Sequence, residues 1–82
     1  MKVHVRAFAR MRELLGESDF DLEVSHGATL ADCWAALVAR NVEIASLAGA
    51  TRLARNGRIV PLLDERVSEG DEVAVLPPVG GG

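Results

Sequence analysis

The chain has 82 residues, 49% of them hydrophobic and 26% charged, with a formal net charge of −3 and a single cysteine. That length allows one domain with a small core, because so short a chain buries only about 60% of its unfolded surface and has little room for a large pocket. The acidic balance excludes a general pull towards nucleic acid or acidic membranes, one cysteine excludes an intrachain disulfide framework, and no apolar run matches a signal peptide or membrane span, so a cytoplasmic protein is expected.

Residues 2–8 alternate polar and apolar side chains around Val3 and Val5, which predicts a first strand. Residues 9–15 switch to good helix formers and stop at Gly16, predicting a short helix. The alternation from Asp19 to Ser25 is the cleanest strand signal in the chain, with one face buried and one wet. His26-Gly27 makes a turn. Thr29 then caps the main helix, with Asp32 completing an imperfect capping box. Leu30, Trp34, Leu37 and Val38 form one apolar stripe facing a sheet, and Asn41 ends the helix. Residues 42–51 carry no clear period, and Ile44 and Leu47 are expected to anchor a loop or short turn.

Residues 53–60 read as a hairpin, since Asn56-Gly57 supplies the two positive φ angles of a type I′ turn. Ser68-Glu69-Gly70-Asp71 predicts a turn into a last strand, Glu72 to Leu76. Strand, strand, helix, two short strands and a strand point to an α+β roll, a mixed sheet packed on one main helix. The domain is expected over residues 1–76, followed by a tail.

That tail is Pro77-Pro78-Val79-Gly80-Gly81-Gly82. Prolines donate no backbone hydrogen bonds and favour an extended base, whereas glycines leave a thin, adaptable tip. Six extended residues span roughly 20 Å, enough to enter another protein's active site. Taken alone, such an end reads as a frayed terminus. Combined with Met11-Arg12-Glu13-Leu14-Leu15-Gly16, with Asn56-Gly57 and with the approach Glu69-Gly70-Asp71-Glu72-Val73-Ala74-Val75-Leu76, it reads differently. The whole chain resembles the MoaD family, the small sulfur-carrier subunit of molybdopterin synthase, which has the ubiquitin-like β-grasp fold. Three departures stand out. Gly80 fills the variable position before the Gly81-Gly82 pair, the stretch from Asn56 to Val67 is about one residue longer than the family pattern, and Arg55 stands where an apolar residue commonly precedes the Asn.

The resemblance implies a chemistry. An E1-like, MoeB-like enzyme would use ATP to adenylate the Gly82 carboxylate, and sulfur transfer would leave a C-terminal thiocarboxylate. The tail, residues 77–82, would then enter a MoaE-like large subunit and donate sulfur to the molybdopterin precursor. Two small and two large subunits would form a heterotetramer. On this reading the chain is not an enzyme on its own and binds no cofactor, and its partners include neither nucleic acid nor membrane. The resemblance also implies a docking surface beside the tail, with Leu76 and Arg12 the best matches to contact positions and Phe8 and Ile59 the next. By periodicity alone Phe8, Ile59, Val60 and Leu76 suit the core, and Arg12 reads equally as a solvated helix residue.

Other residues are read as structural. Cys33 lies beside the main apolar stripe, with no cation placed to lower its pKa. His4 and His26 have no ligands at metal spacing, so no metal site is assigned. Ser18, Ser25 and Ser68 lack triad companions, and Trp34 is expected in the core. Three other functions share these features: a sulfur carrier for thiamine, tRNA thiolation or cysteine, a ubiquitin-like protein modifier, and a plain interaction module.

Overall fold

The computed structural model describes residues 1–77. Its elements are β1 (Lys2–Ala7), α1 (Ala9–Leu15), β2 (Asp19–Glu23), α2 (Leu30–Arg40), a 3-10 helix (Val42–Ala50), β3 (Arg52–Arg55), β4 (Arg58–Val60) and β5 (Glu72–Leu76). They make a mixed five-stranded sheet in the order β2-β1-β5-β3-β4. β1 and β5 are parallel neighbours at its centre, and every other pair is antiparallel. This is the β-grasp arrangement, one sheet face closed over one main helix.

Alternation along the strands builds that face. Val3, Val5, Val73 and Val75 are fully buried, and they meet Leu30, Cys33 and Leu37 of α2 together with Ile44. Burying each valine contributes roughly 2 kcal/mol. Leu53 and Val60 extend the same face across β3 and β4, and Phe20 and Leu22 extend it across β2.

The capping box of α2 is complete. Thr29 Oγ1 accepts from the Asp32 N–H at 3.3 Å, and Asp32 Oδ2 accepts from the Thr29 N–H at 2.8 Å. The shorter Asp does the work usually given to Glu. Two more N–H groups of the first turn, those of Leu30 and Ala31, donate to the Glu65 and Leu63 carbonyls at 2.9 Å. The segment before β5 thus satisfies helix donors that would otherwise lack partners.

Four expectations are refined. Phe8 is not the end of the strand; it is the extended N-cap of α1. β2 stops at Glu23, after which Val24 N–H donates to the Met1 carbonyl. Residues 42–50 are a 3-10 helix, initiated when Asn41 accepts from the Glu43 N–H and donates to the Leu14 carbonyl, each at 3.0 Å. Ile44 is its fully buried anchor, while Leu47 is partly buried, as the sequence suggested. Trp34, finally, sits at the margin of the core. The buried line of α2 is Leu30, Cys33 and Leu37, which turns the helix so that the indole covers the rim. The hairpin is type I′ as read, with Asn56 at φ 50° and Gly57 at φ 85°.

Candidate functional site at the base of the tail

β5 ends at Leu76, and Pro77 carries the chain off the sheet. The remaining candidates, Pro78, Val79, Gly80, Gly81 and Gly82, lie outside the described residues. The described residues form the surface around the end of β5 and Pro77.

Side-chain parity sets that surface. Val73 and Val75 face α2, so Ala74 and Leu76 face outward. Register places Arg6, Ala74, Ala54 and Ile59 in one row across the outer face, and Arg52 opposite Leu76 in the next. Ala54 and Ala74 are both buried, yet they belong to the outer face and not to the core cluster; neighbouring side chains shelter them. Two small residues at its centre make that face shallow between the larger groups flanking it.

Phe8 and Leu76 come together. With Arg10, Met11, Leu47, Ala50, Thr51 and Pro77 they line an apolar groove of about 160 Å³ between α1, the 3-10 helix and the end of β5. That volume suits one large apolar side chain, and Phe8 is 39% exposed along its wall. The Arg6 guanidinium lies 6.0 Å from the Phe8 ring centre and pairs with Asp19 at 3.3 Å and Glu72 at 3.6 Å. Arg12 is exposed on α1 and does not line the groove. Ile59, 47% exposed, lies two strands away on β4 beside a second hollow shared with Thr51, Arg52 and Pro61. The four contact candidates therefore split: Phe8 and Leu76 share a groove, Ile59 occupies the same sheet face at a distance, and Arg12 stands apart.

Sequence reading missed Met11 of α1 and Leu47, Ala50 and Thr51 as groove residues; the 3-10 helix that brings the last three there leaves no periodic pattern to find. The paired Ala54 and Ala74 were a usable signal, since alanine is depleted in strands without a packing reason.

At the opposite end of the sheet, Arg55 faces inward in register with Val73. Its Nε donates to Asp71 Oδ2 at 2.6 Å, and its Nη1 to Glu65 Oε2 at 3.1 Å. Asp71, the one buried charged residue among those described, also accepts from Asn56 Nδ2 at 3.0 Å and from the Ser68 N–H at 2.7 Å. Burial pushes the Asp71 pKa up, but hydrogen bonds from Asn56, Ser68 and Arg55 outweigh it and hold the carboxyl below its ordinary value.

Cys33 is fully buried, and burial, aided by the charges of Asp32 and Asp71, pushes its thiol up to about 11. It stays protonated and inert at neutral pH. Among the described residues no group of three His, Cys, Asp or Glu side chains is arranged to hold a metal ion. No helix there is long and apolar enough to cross a membrane.

Comparison with known proteins fits this architecture. The family model described as the ThiS family matches residues 5–82. A molybdopterin synthase sulfur carrier subunit of Chlamydomonas reinhardtii is 34% identical over 83 residues, covering 100% of both chains. Small archaeal modifier protein 3 of Haloferax volcanii is 33% identical over 92 residues, again covering 100% of each. Among solved structures, a protein–protein complex of subunits 1 and 2 of the molybdopterin-converting factor from Helicobacter pylori contains a chain that superimposes with a TM-score of 0.71 at 26% identity, with full coverage of both. The five-stranded sheet closed over α2 and a family match over nearly the whole chain converge: this protein belongs to the ThiS family, in its MoaD-like form with the ubiquitin-like β-grasp fold.

Proposed function

We propose that the protein is a sulfur carrier and the small subunit of a molybdopterin synthase. Full-length likeness to a curated sulfur carrier subunit carries this reading. In this mechanism Gly82 is the reacting residue: an E1-like enzyme uses ATP to make an acyl adenylate there, and sulfur replaces AMP to give a thiocarboxylate. The folded domain supplies docking, and the tail supplies reach. A large subunit then holds the precursor and receives the tail, a division supported by the Helicobacter pylori complex of two subunits. The inert Cys33 thiol favours the terminus over a side chain as the sulfur site.

The test is to incubate the chain with its adenylating enzyme, ATP and a sulfur donor, then measure the mass of the C-terminal peptide. Exchange of one oxygen for sulfur at Gly82 supports the reading. An unchanged carboxylate, in a reaction that loads a known carrier, overturns it. Gly82→Ala places a methyl group where the activating site has to close on the backbone, so it should fold normally and remain unloaded.

Likeness to an archaeal modifier favours one second reading, a protein modifier in which the same activated Gly82 is taken by a lysine of another protein. Conjugates that survive denaturation would identify it.

A further inference from the structure

Five large apolar side chains are exposed among the described residues, and three of them, Ile59, Leu62 and Leu63, lie on β4 and the loop after it. Leu62 is the most open of the three, at 68%, and neither leucine belongs to the core cluster. The loop that carries them is tied down. The Leu63 and Glu65 carbonyls accept from the Ala31 and Leu30 N–H groups of α2, and the Val67 N–H donates to the Ala28 carbonyl, each at 2.9 Å. Arg55 and Arg58 hold the Glu65 carboxylate at 3.1 and 2.9 Å. Pro61 restricts the backbone where the loop leaves β4. Leucines presented in so fixed a place cost a partner little ordering entropy to cover.

Arg52, Ile59, Pro61 and Leu63 line the hollow beside this loop, which has a volume of about 440 Å³. Thr51 borders both that hollow and the groove at the tail base. Arg52 stands opposite Leu76 across the β3–β5 ladder, so it lies between the apolar groups of the two depressions. It is exposed and has no ion-pair partner among the described residues. Apolar surface laid over that guanidinium would strip its water and leave the charge uncompensated. A partner that closes here therefore has to bring a carboxylate. Three partly exposed side chains also fall well short of the roughly 800 Å² per partner that a stable interface buries. The hollow needs a neighbouring contact, and the groove is that neighbour.

We propose that Arg52, Ile59 and the Pro61-Leu62-Leu63 loop form a second docking surface for the large subunit, continuous with the groove. It takes from that subunit a carboxylate on Arg52 and apolar side chains against Ile59 and the two leucines. The inference rests on the large-subunit reading above and deepens it, because Ile59 and the groove, which lie apart on the sheet, become two parts of one footprint.

The test is titration calorimetry of the full chain with the large subunit, for wild type, Arg52→Glu, Arg52→Gln, Leu62→Ser, Leu76→Ala and Ser25→Ala. Thermal melts verify that each variant is folded, and sedimentation velocity reports the assembly state of the chain alone. Arg52→Glu should weaken binding about tenfold or more, since it sets like charges together. Leu62→Ser should weaken it roughly fivefold without moving the melting temperature. Ser25→Ala, beyond β2, should bind as wild type. Added salt should weaken wild type more steeply than Arg52→Gln, which has lost the charge.

Wild-type affinity in both Arg52→Glu and Leu62→Ser, alongside a weakened Leu76→Ala, would overturn the inference and leave the large-subunit reading standing. A wild type that does not bind the large subunit would overturn both. Equal salt dependence of wild type and Arg52→Gln would remove the carboxylate and with it the proposal. If these substitutions instead dissolve a dimer of the chain, or impair only loading by the activating enzyme, the surface belongs to that other occupant and the proposal fails.

Discussion

The two ends of the sheet follow opposite rules. Where β5 begins, Asp71 accepts three hydrogen bonds, Asn56 Oδ1 accepts from the Glu72 N–H at 2.9 Å, and the Asn56 N–H donates to the Glu72 carbonyl at 2.9 Å. Arg55 and Arg58 both reach Glu65. Where β5 ends, the groove is apolar, Phe8 is partly exposed on its wall, and Arg12 and Arg52 have no ion-pair partner among the described residues. Satisfied polar groups fix the register of β3, β4 and β5 at one end; at the other, apolar side chains and two unpaired arginines are left exposed. The same strand thus carries the polar anchor at one end and, on the proposed reading, the docking surface at the other.

The contrast can be broken most completely beyond the open end. Adding one residue after Gly82, or making Gly82→Ala, should abolish sulfur loading in the C-terminal mass assay and leave the melting temperature unchanged. If either variant loads fully, the tip does not set the chemistry. At the closed end, Asp71→Ala should cost roughly 3 kcal/mol of stability, because it leaves Arg55, Asn56 and the Ser68 N–H without their acceptor. Urea unfolding measures this, and a loss under about 1 kcal/mol would show the network to be incidental. The Asp71 pKa is lowered in the fold, so its stabilisation is present above the unfolded value of 3.8 and is lost as pH falls through the folded value. Asp71→Asn should flatten that acid limb.

Smaller effects are expected at the groove. Leu76→Ala and Phe8→Ala should weaken large-subunit binding roughly tenfold each, about 1.4 kcal/mol, with little change in stability because both side chains are partly exposed. Titration calorimetry with the large subunit reads the difference. Arg12→Ala should change it less, since Arg12 lies outside the groove. Equal losses at all three positions would mean that the partner reads α1 and the groove as one surface.

Much of this contrast was legible in the residues, and the illegible part has a physical cause. Strict alternation in β1 and β2 and the Asn-Gly turn each have one structural solution, so those elements followed directly. Trp34 misled because a helix of 3.6 residues per turn gives nearly the same stripe whether residue 33 or 34 points inward; the structure buries the smaller Cys33 in the core and leaves Trp34 partly buried against it. The groove needed three segments distant in sequence, Phe8 to Met11, Leu47 to Thr51 and Leu76, and no local pattern announces such a meeting. Arg55 was visible as an oddity, but its cause appeared only once Asp71 and Glu65 were placed around it. The tail was the clearest signal in the sequence, and its residues 78–82 lie outside the described structure.

The smallest predicted effect separates the two halves of the outer face. On the β1–β2 half, Lys2, His4 and Arg6 stand opposite Glu23, Asp21 and Asp19. His4 Nε2 lies 3.0 Å from Asp19 Oδ1 and Nδ1 lies 3.3 Å from Asp21 Oδ1. Only the doubly protonated ring donates to both carboxylates, and those hydrogen bonds, the one to Asp19 first, raise the His4 pKa above its ordinary 6.5. Asp19 moves the opposite way for the same reason, its pKa lowered by His4 and then by Arg6. Glu72, paired with Arg6, is the other carboxylate on this part of the face. A raised histidine pKa gives stability that is fully present below 6.5 and is lost as pH rises through the folded value. The site is exposed, so screening keeps the effect small and salt-sensitive. Melting temperatures of wild type and His4→Gln should therefore differ most near about pH 5.5 and converge by about pH 8.5, and added salt should shrink the gap. A gap that widens with pH would assign the neutral ring the stabilising role and reverse this account of the face.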